Sequence, residues 1–251
     1  MLTLPIAIGT DKKRFPLKKT LVSLLIGSIF FFACRKDSFV FPVQACLSQT
    51  DNPATRIYSD ESVVAVSYFE KHCGLLPLSR KNYWVYEDSI FDNGSFVQVQ
   101  FDTLRFAQTF QSLSDKLIWW QTDINIGLPE RLYANDSTLF LMEKRMFSQD
   151  NVWDVKKEYS LFTGDSIRYL TSFDDNAAMG RSVKMEDPII TPAGKFSDCV
   201  LFEKNARNFR KDQVYFKPGL GVIKYIEEKA PMGYPFTKLQ QISTLVCFHL
   251  E

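Results

Sequence analysis

Asn82-Tyr83-Trp84-Val85-Tyr86-Glu87-Asp88-Ser89-Ile90-Phe91-Asp92-Asn93-Gly94-Ser95-Phe96-Val97-Gln98-Val99-Gln100-Phe101-Asp102-Thr103-Leu104-Arg105 reads as two strands and the turn between them. Residues 82–86 are aromatic and β-branched. After Ser95, Val97, Val99 and Phe101 alternate with Gln98, Gln100 and Asp102, the period of a strand with two unlike faces. Asn93-Gly94 tolerates the positive φ of a tight hairpin turn. An antiparallel, mainly β chain is the expectation that follows.

Outward from this hairpin the same pattern recurs. Asn135-Asp136 separates Arg131 to Ala134 from Thr138 to Met146, a second hairpin. A third is expected at Thr163-Gly164-Asp165, between Lys157 to Phe162 and Ser166 to Phe173. The C-terminal third repeats strand signals at Phe196 to Phe202, Gln213 to Lys217, Gly221 to Ile226 and Lys238 to Leu250, with Ile242, Val246, Phe248 and Leu250 on one face. Only Phe106, Phe110, Leu113 and Leu117 show helical spacing. Ser59 to Gly74 has acids at its start, bases at its end and Gly just beyond, which fits one helix, whereas Val63, Val64 and Val66 argue for a strand. The expected fold is a strongly curled antiparallel sheet or open barrel with one or two short helices, because closure hides sheet edges.

The N-terminus reads as an export address. Lys12-Lys13-Arg14 and Lys18-Lys19 precede the apolar run Leu21 to Phe32 and then Ala33-Cys34. The run is short for a membrane span, which takes about 20 residues. With the Cys directly after Ala33, this segment resembles the lipobox of bacterial lipoproteins, although Phe31 and Phe32 stand where that family prefers Leu and a small residue. The resemblance implies cleavage after residue 33 and a lipid on Cys34. The alternative for the same run is an uncleaved anchor, and both place the globular part outside the cytoplasm. Arg35 stands where the inner-membrane retention signal of Gram-negative lipoproteins has Asp, which favours the outer membrane, on its periplasmic or surface side. The expected organisation is a signal peptide over 1–33, a tether broken by Pro42 and Pro53 with a short helix over 34–74, and a β domain over 75–251.

The whole chain carries 30 Lys and Arg against 29 Asp and Glu; its first 33 residues hold five bases and one acid, so the mature part has 25 against 28, a net charge of −3. Such a surface does not recruit nucleic acid by counterion release. With Cys34 lipidated, Cys46, Cys73, Cys199 and Cys247 remain, enough for two disulfides in an exported chain. Chain order pairs Cys46 with Cys73 and Cys199 with Cys247. Equally, Cys199 and Cys247 read as small buried apolar residues.

Two further segments are similar to a group of uncharacterised Gram-negative envelope lipoproteins. One is Leu76-Pro77-Leu78 through Asn82-Tyr83-Trp84-Val85-Tyr86, with Lys81 in place of the usual Gly. The other joins Thr191-Pro192-Ala193-Gly194-Lys195-Phe196 to Tyr215-Phe216-Lys217-Pro218-Gly219-Leu220-Gly221. Physically, the Pro-Gly elements deliver strands into turns. Gly219 and Gly221 do not make a nucleotide loop, because Lys224 takes the third Gly position and no crossover helix follows.

Catalytic signatures are absent from the sequence. His72 and His249 are the only histidines, and neither HExxH nor GxSxG occurs. Asp174-Asp175-Asn176 and Glu227-Glu228 offer carboxylates, but adjacency in sequence does not set two carboxyl groups facing across a cleft. No catalytic residue, metal ligand or cofactor is assigned. Asp88-Ser89-Ile90, Asp102-Thr103-Leu104, Asp136-Ser137-Thr138 and Asp165-Ser166-Ile167 are similar to the acceptor of an envelope O-glycosylation system, which makes Ser89, Thr103, Ser137 and Ser166 candidates. Ordinary composition gives roughly one such triplet, and Asp-Ser also favours turns.

Aromatic residues make up 14% of the chain, 22 of them Phe. They either fill one β core or line an apolar groove, as in the lipoprotein-carrier fold of bacterial envelopes. The expected function is a non-catalytic lipoprotein, held at the membrane by the lipid on Cys34, that binds an apolar ligand or an envelope protein. The alternatives are a structural subunit of an envelope assembly and a carboxylate-dependent hydrolase.

Overall fold

A computed structural model describes residues 51–145, 151–161, 166–172, 176–231 and 235–251. Cys34, Cys46, the tether up to residue 50, the turn at 163–165 and Asp174-Asp175 lie outside the described residues. In chain order come β1 (Ile57–Ser59), a 3-10 turn (Asp60–Ser62), β2 (Val63–Val66), β3 (Tyr83–Asp92), β4 (Ser95–Arg105), β5 (Gln108–Ser112), β6 (Ile118–Gln121), β7 (Arg131–Ala134) and β8 (Thr138–Lys144). They are followed by β9 (Val152–Ser160), β10 (Ser166–Ser172), β11 (Asn176–Lys184), β12 (Ile189–Thr191) and β13 (Gly194–Phe196). The chain closes with β14 (Val200–Ala206), β15 (Arg210–Lys217), β16 (Gly221–Lys229) and β17 (Lys238–His249). The expectation of a curled, antiparallel β fold holds.

A seven-stranded sheet runs β1-β9-β8-β7-β6-β5-β2. Its two edge strands are consecutive in sequence, separated only by the three-residue turn Asp60–Ser62. The sheet therefore curls until its edges lie at the ends of one short segment, nearly closed with an unsealed seam. Tyr58 reaches from β1 to the turn after β5, its hydroxyl donating to Asp115 Oδ2 at 2.7 Å, and Arg56 pairs with the same carboxylate. An eight-stranded sheet runs β10-β11-β14-β15-β16-β17-β3-β4, and β12-β13 form a separate hairpin turned by Pro192-Ala193.

Alternation in the seven-stranded sheet serves two cores. Trp119, Tyr133, Phe140, Met142 and Val155 point into the curl with Tyr58, while Trp120, Leu132, Ala134, Leu139 and Tyr159 point at the larger sheet. A strand buried on both faces loses its polar alternation, which explains the run Leu139-Phe140-Leu141-Met142. The larger sheet answers with Trp84, Tyr86, Phe202, Val214, Phe216, Tyr225 and Leu245. Tyr159 and Phe202 join the sheets by stacking at 4.7 Å between ring centroids and 6° between planes.

The two segments that carry the lipoprotein resemblance meet in this core. Trp84 Nε1 donates to Leu220 O and Tyr86 Oη to Val222 O, both at 2.9 Å, and Gly219 N donates to Leu75 O at 2.9 Å. The first strand thus grips the Pro-Gly turn.

Several expectations are corrected. Val63 to Val66 form a strand, not a helix, and this strand with β1 brings Ile57–Val66 into the sheet ahead of residue 75. The helical spacing of Phe106 to Leu117 belongs to the link before β5, to β5 itself, and to the turn before β6, with Lys116 at φ 63°. Phe106 faces the inter-sheet core, whereas Phe110 and Leu117 pack in the curl. β9 and β10 do not make a hairpin, because β9 pairs with β8 and β1 while β10 pairs with β11 of the other sheet. In β17 the buried side is Ser243, Leu245 and Cys247, with Ile242 and Val246 half-buried opposite. Cys199 is a free buried thiol, so it does not pair with Cys247; Cys73 is disulfide-bonded, and so is Cys247. The free thiol lies in the inter-sheet core, the environment that suits a small apolar residue.

Asn93 and Gly94 have φ of 51° and 87°, the pair of positive values that a type I′ turn requires. A Cβ on Gly94 meets nothing nearer than 3.8 Å, so its substitution by Val carries backbone strain alone, on the order of 1 kcal/mol. At Gly127 a Cβ would stand 2.4 Å from Val214 Cγ2 and 2.8 Å from the Tyr225 ring. Gly127→Ala should therefore cost clearly more than Gly94→Val, by about 1–3 kcal/mol of overpacking, in denaturant unfolding midpoints. Equal midpoints for the two variants would contradict the close approach of the 123–130 loop to the larger sheet.

Candidate functional site

Two features stand apart from the packed interior: a projecting arm and a charged cleft. The arm is the outer half of the β3–β4 hairpin. Every residue from Ser95 to Phe101 is exposed, on both faces of the strand. Phe96, Val97, Val99 and Phe101 are 60%, 56%, 47% and 61% exposed, values at which apolar side chains on an edge strand are unprotected. β4 is the last strand of its sheet, and one of its edges has no neighbour among the described residues. Residues 95–101 carry no Lys, Arg, Asp, Glu or Pro, so the usual guards against strand addition are missing. Among the described residues this edge is engaged only at its base, where Arg105 N donates to Asp123 Oδ1 at 3.0 Å.

At the root of the arm, Asp88 is 1% exposed. Burial and the neighbouring Asp102 carboxylate push its pKa up to about 6, against hydrogen bonds from Ser243 and Gln241 that favour the charged form. Its Oδ1 has no hydrogen-bond partner. The fold thus favours the protonated acid, and that contribution to stability, complete below its ordinary value near 3.8, is lost as pH rises through about 6. Asp88→Asn should be more stable than the native chain by on the order of 1 kcal/mol at pH 7, with the gap opening between about pH 4 and 6. Thermal unfolding of both proteins across that range checks this; a gap that does not change with pH would refute the assignment.

The cleft, about 530 Å³ in volume, lies where β7 stops at Arg131 while β8 continues to Lys144. The β7–β8 ladder ends at Leu132 opposite Leu141, leaving Met142–Lys144 without a partner on that side. Both sheets contribute walls. From the smaller sheet come Trp153, Glu158 and Tyr159, and from the larger Lys204, Arg210 and Asp212. Lys204 Nζ meets Glu158 Oε1 at 2.9 Å, with the two side chains 9% and 5% exposed. Arg210 grips Asp212 through two bonds of 2.8 and 3.0 Å, meets Glu227 at 3.5 Å and donates to Tyr225 Oη at 3.1 Å. Burial pushes the Asp212 carboxyl up to about 6 despite Arg210, and it raises Glu158 above its ordinary value despite Lys204.

Burying such pairs is costly, and their worth depends on both partners being present. Lys204→Met should lose about 3 kcal/mol in chemical denaturation, and Lys204→Met with Glu158→Leu should recover most of it. A double variant no more stable than the single would show that the pair contributes favourably in itself.

Residues singled out from the sequence are scattered over the fold. His72 is buried, its Nε2 on Ala134 O and its ring edge-on to Tyr133, and burial lowers its pKa. His249 is exposed and stacks on Tyr83 at 5.5 Å. Glu227 pairs with Arg210, while its neighbour Glu228 accepts from Thr237 Oγ1 at 2.7 Å. Ser89 and Thr103 lie half-buried within β3 and β4, Ser137 sits in the turn between β7 and β8, and Ser166 opens β10. The cleft residues went unmarked, although a signal was available. In β14, Val200, Phe202, Lys204 and Ala206 are all buried and form one period-two row, so Lys204 continues an inward-facing series. Asp212 does the same ahead of Val214 and Phe216.

Among the described residues no group of three His, Cys, Asp or Glu is placed to hold a metal ion. Compared with known proteins, the chain matches no protein family, no curated protein and no solved structure.

Proposed function

We propose that the chain is an exported, lipid-anchored envelope protein, with its lipid on Cys34, that performs no catalysis and binds a partner protein by strand addition along β4. The observation that carries this is the uncharged, doubly exposed edge of Ser95 to Phe101. Strand addition satisfies a row of open backbone donors and acceptors, and alternate side chains supply specificity. The matching partner presents an extended segment, apolar toward Val97, Val99 and Phe101 and amide-bearing toward Gln98 and Gln100. The charged walls of the 530 Å³ cleft favour this partner form over an apolar ligand. The oxidised state of Cys73 and Cys247 fits an oxidising compartment outside the cytoplasm. Against hydrolysis, three of the four carboxylates that line the cleft, Glu143, Glu158 and Asp212, are each committed to a basic partner.

Two experiments test the proposal. Intact-mass analysis of the membrane fraction should find a lipid adduct that Cys34→Ala lacks. A thioether sulfur cannot also form a disulfide, so recovery of Cys34 bonded to Cys73 or Cys247 would rule the anchor out. A benzophenone cross-linker placed at Gln100 in living cells should give one discrete adduct that Val99→Lys abolishes. An adduct at twice the chain's own mass would identify a second copy as the partner; no adduct, or one indifferent to Val99→Lys, would refute strand addition.

A further inference from the structure

Four cations line the cleft: Arg131, Lys144, Lys204 and Arg210. Three of them are matched by carboxylates, Lys144 with Asp60 at 3.2 Å, Lys204 with Glu158 at 2.9 Å and Arg210 with Asp212 at 2.8 Å. Of the lining acids, Glu143 is held by Lys156, and Glu130 Oε1 accepts from Gln121 at 3.3 Å. Arg131 alone has no carboxylate within 4.0 Å and no hydrogen-bonded partner among the described residues; its Nε is buried and unsatisfied. Its position is nevertheless fixed. The guanidinium lies 4.0 Å from the centroid of Phe110 and 4.2 Å from that of Trp153, rings contributed by β5 and β9.

Two aromatic contacts hold a planar cation by its faces and leave the in-plane N–H groups of its two terminal nitrogens as the directions open to a ligand. Those donors form a fork that matches a carboxylate or phosphate through two parallel bonds. The cleft that Arg131 lines has a volume within the range of small-molecule sites, about 300–1,000 Å³. The other three cations are paired with carboxylates, and the carboxylates of Glu130 and Asp60 act on Arg131 only from beyond 4.0 Å, so an oxyanion that reaches the cleft meets one guanidinium without an ion-pair partner.

We infer that the cleft binds a small organic oxyanion, a carboxylate, on the aromatic-clamped guanidinium of Arg131. This site is separate from the β4 edge and does not rest on the partner proposal. Lys204 and Arg210 line the same cleft from the larger sheet.

The test uses the full chain and reads the Arg131 Nε–Hε and Trp153 Nε1–H resonances during titration with succinate, with succinamide as the neutral match and inorganic phosphate as the alternative oxyanion. Succinate should shift both resonances saturably and succinamide neither. Arg131→Gln should weaken succinate binding at least about tenfold, as read from Trp153. Arg131→Lys should fall between, because an ammonium supplies charge without the fork. Saturation by phosphate as well would support the site as a general oxyanion receptor. Shifts of the same size with succinamide, no saturable shift with succinate on the native chain, or unchanged affinity in a folded Arg131→Gln protein would overturn the inference. Because the first readouts are made on the native chain, a variant that fails to fold leaves the answer intact.

Discussion

The seven-stranded sheet has to hide both of its faces, and the rest of the structure follows from that requirement. Trp119 and Trp120 are adjacent, point to opposite sides, and are both fully buried. A sheet with such a sequence has only two places to put its apolar faces. It closes on itself around Trp119, Tyr133 and Phe140, and it lays the other face, with Trp120, Leu132 and Leu139, against the eight-stranded sheet. Full burial of side chains of this size is worth about 2–3 kcal/mol each. The nearly closed curl and the two-layer packing are thus two answers to one pattern of burial.

The same packing determines where polarity is tolerated. Near the centre the sheets meet through rings; Trp84 and Tyr159 carry their polar ends to the backbone carbonyls of Leu220 and Gly127, whereas the indole nitrogen of Trp120 is buried without a partner among the described residues. Where β7 ends before β8 does, the sheets part, and charged residues continue the inward rows in place of apolar ones. Lys204 and Asp212 could not sit there alone, and each is matched by a partner, from the opposite sheet for Lys204 and from the same strand for Asp212. The cleft is therefore the margin of the core, a place where water-excluding geometry and ionic groups coexist. The arm is the opposite case, a stretch of strand that the core does not reach at all.

Much of this fold was legible in the sequence wherever one chemical rule acted locally. Asn93-Gly94 marked its turn, and Val97-Gln98-Val99-Gln100 marked its strand. Where tertiary packing overrode local pattern, the reading failed. Phe106, Phe110, Leu113 and Leu117 have helical spacing only because successive elements send Phe106 to one core and Phe110 to another, with a turn at Lys116 between. Lys157 to Phe173 looked like a hairpin because strand propensity does not say which sheet a strand joins. The exposed edge was legible as composition but not as exposure, since Val97 and Phe101 would equally suit a buried strand. The cleft was least visible of all: Lys204, Arg210 and Asp212 are residues that sequence alone assigns to the surface, and Arg131 acquires its aromatic clamp from Phe110 and Trp153, at quite different positions in the chain.

Native-state hydrogen exchange resolved to single amides compares, within one molecule, a sheet buried on both faces with a strand buried on neither. Amides of β6 to β8 should exchange only through global unfolding, while alternate amides of Ser95 to Phe101, those on the open edge, should exchange close to the rate of an unstructured chain. Protection of the whole of β4 at the level of β7 in the isolated protein, or rapid exchange in β7, would contradict this.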